Sequence, residues 1–310
     1  MARGAQGKWL LAQKDFDKAL ERQPTLAWAV AQRGEVHARM GHDDAALADM
    51  ARAAFMNRQI VDALAARGSL NRLVDEYQRD PAAFPQARMG GPGKLAEGLG
   101  ALGERARVEG RSEEALAYFQ RALALVPDLA WVYASCGVLY MAQERPDDAL
   151  SEMNRALELE PNYAWALLNR GRIYRFLDRD EEAMADLNRA LQIEPKMSGA
   201  FAERGEIHRK HGRLDEALED FDRAVRLNSL NAWAAARRGQ VLKAKGRYLD
   251  ALAEMHRAIA LSSKDDAWSL TTRGELHVHF ENWPDALSDF SRAIELEPDN
   301  AEAIADRAQV

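Results

Sequence analysis

AWALLNRGRIYRFLDRDEEAMADLNRALQIEPKM, residues 164–197, decides the fold, because the chain repeats it. With Ala164 as position 1, position 8 is glycine at Gly34, Gly68, Gly103, Gly137, Gly171, Gly205, Gly239 and Gly274. Position 20 is alanine at Ala46, Ala115, Ala149, Ala183, Ala217, Ala251 and Ala286, and position 27 is alanine from Ala53 through Ala190 to Ala293. Position 24 is large and apolar, as at Phe119, Met153, Leu187 and Phe221. Position 32 is proline at Pro92, Pro127, Pro161, Pro195 and Pro298. One-residue insertions near Leu95 and Asp266 shift the count without breaking it. A period of this length is the signature of a solenoid.

The pattern within one copy predicts helix, turn, helix. Leu167, Leu168, Ile173 and Tyr174 keep helical spacing; Asp178–Asp180 is a polar break; Ala183, Leu187, Ala190, Leu191 and Ile193 form a second amphipathic run. Glycine inside a helix costs about 1 kcal/mol against alanine, so a glycine in every copy implies close approach of two backbones, with the position 20 alanine opposite. Proline at position 32 ends the second helix, because it lacks the N–H and its ring blocks the preceding turn. One such hairpin cannot bury its apolar faces alone, whereas stacked hairpins can.

These residues, Gly171, Tyr174, Ala183, Leu187, Ala190 and Pro195 at their spacing, resemble the tetratricopeptide repeat family, in a bacterial-type array reaching from about Gly7 to Arg307. The resemblance implies an all-α fold, a tetratricopeptide-type α-solenoid in which antiparallel helix pairs wind into a right-handed superhelix. The register divides the chain into 1–26, a partial repeat with only a second helix; 27–60, a repeat; 61–94, a degenerate repeat with a Pro/Gly-rich loop at 80–93; 95–300, six regular repeats; and 301–310, a first helix alone. Pro81 and Pro85 forbid a regular helix in the degenerate copy. Neither end carries a polar cap, which points to a fragment of a longer protein or to end-to-end self-association.

Composition narrows the function. A net charge of −7 argues against general affinity for nucleic acid or anionic membranes. There is no run of about 18 apolar residues, so no membrane insertion is expected. The single cysteine, Cys136, cannot form an internal disulfide, which points to a reducing, cytoplasmic setting. No catalytic pattern survives its context. Gly98, Gly100 and Gly103 form G-x-G-x-x-G inside a predicted helix, where the dinucleotide reading needs a strand first. His37, His208 and His277 all occupy position 11, where Tyr140 and Tyr174 stand in other copies, so they read as packing residues. No metal or cofactor is expected.

The inner surface remains. The resemblance implies that positions 2, 5, 6, 9, 12 and 13 of each first helix line a concave groove. Position 2 is tryptophan at Trp28, Trp131, Trp165, Trp233 and Trp268, which serve either as seam packing or as anchors for a partner. Arg172, Arg175, Arg209, Lys210, Arg237 and Lys243 form a local basic patch, with Glu203 and Glu206 intervening. The family's clamp for a C-terminal carboxylate does not match around Asn169. The expectation is a non-catalytic protein–protein interaction scaffold that binds a peptide or protein segment with acidic groups. Trp131, Trp165 and Trp233 would be its anchors, the six cations its charge partners, and Asn169 its hold on the partner's backbone. The alternatives are the sensor or substrate-recognition arm of a larger multidomain enzyme, and a self-assembling structural array.

Overall fold

Residues 164–197 fold as their pattern dictates. Ala164–Phe176 is one helix, the chain reverses through Asp178, and Asp180–Ile193 is the next. The first buries Ala166, Leu167, Leu168, Gly171 and Ile173, and the second buries Ala183, Leu187 and Ala190. A Cβ on Gly171 would meet Leu187 Cγ at 3.0 Å and the Ala183 carbonyl oxygen at 3.3 Å. At Gly137 it would meet the Ala149 oxygen at 3.1 Å. The position 8 glycine therefore admits the position 20 backbone and the large position 24 side chain, which is why Phe119, Phe221, Phe290, Leu187, Met153 and Met255 are fully buried. Truncating such a phenylalanine to alanine costs about 3–5 kcal/mol.

The computed structural model describes residues 2–42, 45, 46, 49, 53, 91–262 and 266–310. Fifteen helices are complete among the described residues. Contacts divide the chain into two compact units, Met1–Glu160 and Pro161–Val310. The first holds α1 (Ala2–Arg22), α2 (Ala27–Arg39), α3 (Gly91–Val108), α4 (Ser112–Leu125), α5 (Ala130–Ala142) and α6 (Pro146–Leu159). There α1 packs on α2, α3 on α4, α4 on α5 and α5 on α6. The second unit holds α7 (Ala164–Phe176), α8 (Asp180–Ile193), α9 (Ser198–Lys210), α10 (Leu214–Leu227), α11 (Ala232–Ala244), α12 (Tyr248–Leu261), α13 (Ala267–His279), α14 (Trp283–Leu296) and α15 (Ala301–Gln309). Each of these helices packs on its successor, apart from the last. The first helices α7, α9, α11, α13 and α15 also touch in series, forming one row.

The run expected as six regular repeats over 95–300 is thus shared, two copies in the first unit and four in the second. Most of the second helix of 27–60 and residues 61–90 of the degenerate repeat lie outside the described residues. Residues 91–93, expected to belong to the loop 80–93, are instead the start of α3. The first turn of a helix needs no N–H from Pro92, so a proline there is compatible with it. No helix among the described residues is long and apolar enough to cross a membrane.

Candidate functional site

The row of first helices in the second unit brings most of the expected binding residues onto neighbouring elements. Trp165, Asn169, Arg172 and Arg175 lie on α7, Arg209 and Lys210 on α9, and Trp233, Arg237 and Lys243 on α11. Trp131 is the exception, because it lies on α5 of the first unit.

The cations are not bare. Arg172 and Arg175 both reach across the seam to Glu203, donating from Nε to Oε1 at 2.7 Å and to Oε2 at 2.8 Å. Arg209 holds Glu206 with two bonds of 2.8 Å, and Arg237 Nε stands 3.8 Å from the same carboxylate. Lys243 pairs with Glu275 on α13. Lys210 reaches back to Asp178 and Asp180, at 2.8 Å each. Sequence reading treated Glu203 and Glu206 as interruptions of a basic patch, yet they are its internal counter-ions. For Arg172, Arg175 and Arg237 stacking makes this so, because residues about one repeat apart in sequence become neighbours when their helices lie side by side; Arg209 finds Glu206 one turn back on its own helix. On these two seams, however, two guanidiniums share one carboxylate, so each of these groups carries one positive charge more than its glutamate balances. Arg172 remains 49% exposed.

Asn169 does not stand where a partner's backbone could use it. It is 6% exposed and its Nδ2 donates to the Trp165 carbonyl, one turn back in its own helix, at 2.8 Å. The tryptophans divide. The Trp131 ring fills the space over Gly100, which explains a helical glycine outside position 8 and gives this residue a packing role. Gly103 of the same G-x-G-x-x-G run, also on α3, is pressed on Phe119 of α4, so both glycines serve packing. Trp28 is 57% exposed, edge-on to Phe16. Trp165, Trp233 and Trp268 are half-buried. The Arg237 guanidinium lies 4.5 Å from the Trp268 ring centroid and 5.9 Å from that of Trp233.

Arg237 has the least ordinary electrostatics on this face. Burial lowers its pKa from the usual guanidinium value; Glu206 opposes this, and Arg209 and Arg175 add to it. The side chain stays charged, since arginine does not deprotonate in proteins. Glu275 is pushed up by burial, against the pull of Lys243 and with help from Glu302 and Asp306.

A second set of pairs lies inside the repeats, and sequence reading missed it. Arg33, Arg170, Arg204 and Arg273, all at position 7, grip Asp49, Asp186, Asp220 and Asp289 with bidentate bonds of 2.6–2.8 Å. Arg238 pairs Glu254 at the same two positions. The sign was present: wherever position 7 is one of these arginines, position 23 is acidic. These pairs fasten the two helices of one hairpin and are structural. The position 11 histidines join them, with His37, His208 and His277 at 3.8–3.9 Å from the same aspartates. Among the described residues, no group of three or more His, Cys, Asp or Glu is placed to hold a metal ion.

Comparison with known proteins agrees with this architecture. Residues 108–170, 140–202 and 198–231 match family models described as tetratricopeptide repeat. No curated protein matches by sequence. Among solved structures, PilF of Pseudomonas aeruginosa is 24% identical over 69% of this chain and 97% of its own, with a TM-score of 0.63. A chain of the APC/C hetero-tetramer Cut9–Hcn1 is 16% identical over 96% of this chain and 58% of its own, at 0.66. A tetratricopeptide repeat protein from Parabacteroides merdae is 18% identical over 91% and 97%, at 0.55. At these identities the likeness is one of fold. Arrays of this repeat are in general protein–protein interaction scaffolds and typically non-catalytic.

Proposed function

We propose that this tetratricopeptide repeat array holds a segment of a partner protein along the first-helix row of its second unit, and that the segment carries acidic groups. The observation that supports this is the ratio of charges on the seams. Glu203 serves both Arg172 and Arg175, and Glu206 serves both Arg209 and Arg237. A carboxylate on the partner would complete each group at little cost, since Arg172, Arg175 and Arg209 are already held in place by their hydrogen bonds to these glutamates. Trp165 and Trp233, half-buried beside them, supply apolar area whose remaining exposed edge a partner would cover.

Reversing all the charges would be a poor test, because it strands Glu203, whose side chain is 5% exposed, without any counter-ion. Removing one arginine per seam leaves each glutamate paired. Randomised decapeptides displayed on phage are selected on the full chain at low salt. Enrichment of Asp and Glu is expected, with the selected peptides binding about tenfold more weakly to Arg172→Gln/Arg237→Gln. Recovery of no peptides, or of peptides without acidic enrichment, would overturn the reading.

A further inference from the structure

One feature of the second unit is not explained by packing. A cavity of about 320 Å³ opens between α11, the end of α12 and the start of α13. Its lining includes the indoles of Trp233 and Trp268, Ile259 and Arg237, with Asp266 and Ser269 at one side. This is the lower end of the range for ligand sites, enough for one side chain or the end of a chain.

The polar groups around it are unequally satisfied. Arg237 Nη1 donates to Gln240 Oε1 at 3.1 Å. Among the described residues its Nε is buried with no hydrogen-bond partner, and the carboxylate oxygen that comes within 4 Å, on Glu206, lies 3.8 Å away and is already held by Arg209. A buried donor without an acceptor costs free energy, which a small shift of the guanidinium toward an acceptor in the cavity would recover. Asp266, the other charged group of the lining among the described residues, is occupied, since its Oδ2 accepts from Ser269 N at 2.9 Å and Ser269 Oγ at 2.6 Å. The cavity therefore combines aromatic walls with one cation whose hydrogen-bonding is incomplete. A doubly charged phosphate fits this poorly, because among the described lining residues one guanidinium would face two charges with Asp266 close by. A carboxylate matches the charge, and the methylenes beside it match the rings.

We propose that this cavity binds a carboxylate of a protein partner. An oxygen accepts from Arg237, and the adjoining aliphatic carbons lie against Trp233 and Trp268. The proposal rests on the reading that this face holds a partner segment, and names the residues and the ligand chemistry of one site on it. The carboxylate can come from a glutamate side chain or from a chain terminus.

The test uses the full chain labelled with 5-fluorotryptophan, whose seven tryptophans give resonances assignable through Trp233→Phe and Trp268→Phe. Three probes are titrated: acetyl-Leu-Glu-Leu-amide, acetyl-Leu-Gln-Leu-amide, and acetyl-Leu-Gln-Leu with a free carboxyl end. The expected result is saturable movement of the Trp233 and Trp268 signals with at least one charged probe, and binding of the neutral probe at least about tenfold weaker. Which charged probe binds distinguishes side chain from terminus. Arg237→Gln should weaken the charged probe by a similar factor. Gln240→Glu, which sets an internal carboxylate beside Arg237 without truncating it, should do the same, and carries the test if the first variant melts differently. Equal response to the neutral probe, unchanged affinity in both variants, or no movement at all overturns the proposal. The tripeptides need no extended groove, so failure here alongside successful decapeptide selection removes this site and leaves the scaffold reading standing.

Discussion

At the scale of single residues, the informative position is the one where the internal ion pair is broken. Position 7 in the fourth full copy is Cys136, and the acid opposite, Glu152, has lost its arginine. Burial pushes the Glu152 carboxyl up from its ordinary value, with Asp148 adding to the effect, and burial pushes the Cys136 thiol up to about 12. Cys136→Arg should restore the pair. Arg238 with Glu254 and Arg170 beside Tyr174 show that the same geometry accepts arginine opposite glutamate, and next to a position 11 tyrosine such as Tyr140. The expected gain near pH 7.5 is about 1 kcal/mol, that of a charge-assisted hydrogen bond less the cost of fitting the longer side chain. The pH dependence has a definite sign. A carboxyl whose folded pKa lies above its unfolded value of 4.5 keeps its proton longer in the native state, so the contribution of Glu152 to wild-type stability falls as pH rises through that window. The variant should lose this fall. Urea unfolding at two pH values measures it, and a lower midpoint for Cys136→Arg near pH 7.5 would mean the site cannot receive the guanidinium.

At the scale of the helical hairpin, position 15 carries the turn. Its φ is positive in every described copy: 73° at Gly41, 77° at Gly110, 72° at Gly212 and 74° at Gly246, but also 59° at Glu144, 58° at Asp178 and 57° at Glu281. The N–H of the next residue then bonds back to the carbonyl of position 11, as from Arg145 to Tyr140 at 2.9 Å and from Asn282 to His277 at 2.9 Å. This is the glycine-favoured ending of a helix. Left-handed backbone costs a residue with a Cβ about 1–2 kcal/mol, part of which glycine returns through its freer unfolded chain. Glu281→Gly should therefore stabilise by about 0.5–1 kcal/mol, read as a higher melting temperature; an unchanged or lower one would show that the side chain is compensated elsewhere. The two glycine positions differ in how legible they were. Position 8 is uniform because the large position 24 side chain, joined in several copies by the position 20 carbonyl, leaves no room for a Cβ, so the repeat pattern alone exposed a close approach there. Position 15 is mixed because strain, unlike a clash, can be tolerated, and the mixture hid the turn.

At the scale of the whole molecule, the repeat period carried the fold, because apolar spacing and small-residue contacts are local properties that survive in any one copy. The candidate site was less legible. Arg172, Arg175 and Arg237 were visible as cations, but whether each is neutralised depends on Glu203 and Glu206, carried by a helix that meets theirs only after stacking; Arg209 alone finds its glutamate on its own helix. Trp131 went to packing for the same reason, since the Gly100 it covers belongs to the preceding repeat, whereas Asn169 bonds back within its own helix, an outcome a single repeat already allows. The position 11 histidines extend this to the response of the entire chain to acid. Burial lowers the pKa of His37 in the first unit and of His208 in the second below the ordinary 6.5, outweighing the pull of Asp49 and Asp220. Each native imidazole thus binds a proton less readily than its unfolded counterpart. The stability they contribute is present above pH 6.5 and is lost as pH falls from 6.5 through the lowered native values. The urea midpoint is expected to drop between pH 7.5 and 5.5. His208→Tyr, which installs the residue that other copies use at this position, should reduce the drop without removing it, since His37 remains. A midpoint that holds or rises on acidification would mean that the pull of Asp49 and Asp220 on the protonated rings outweighs their burial.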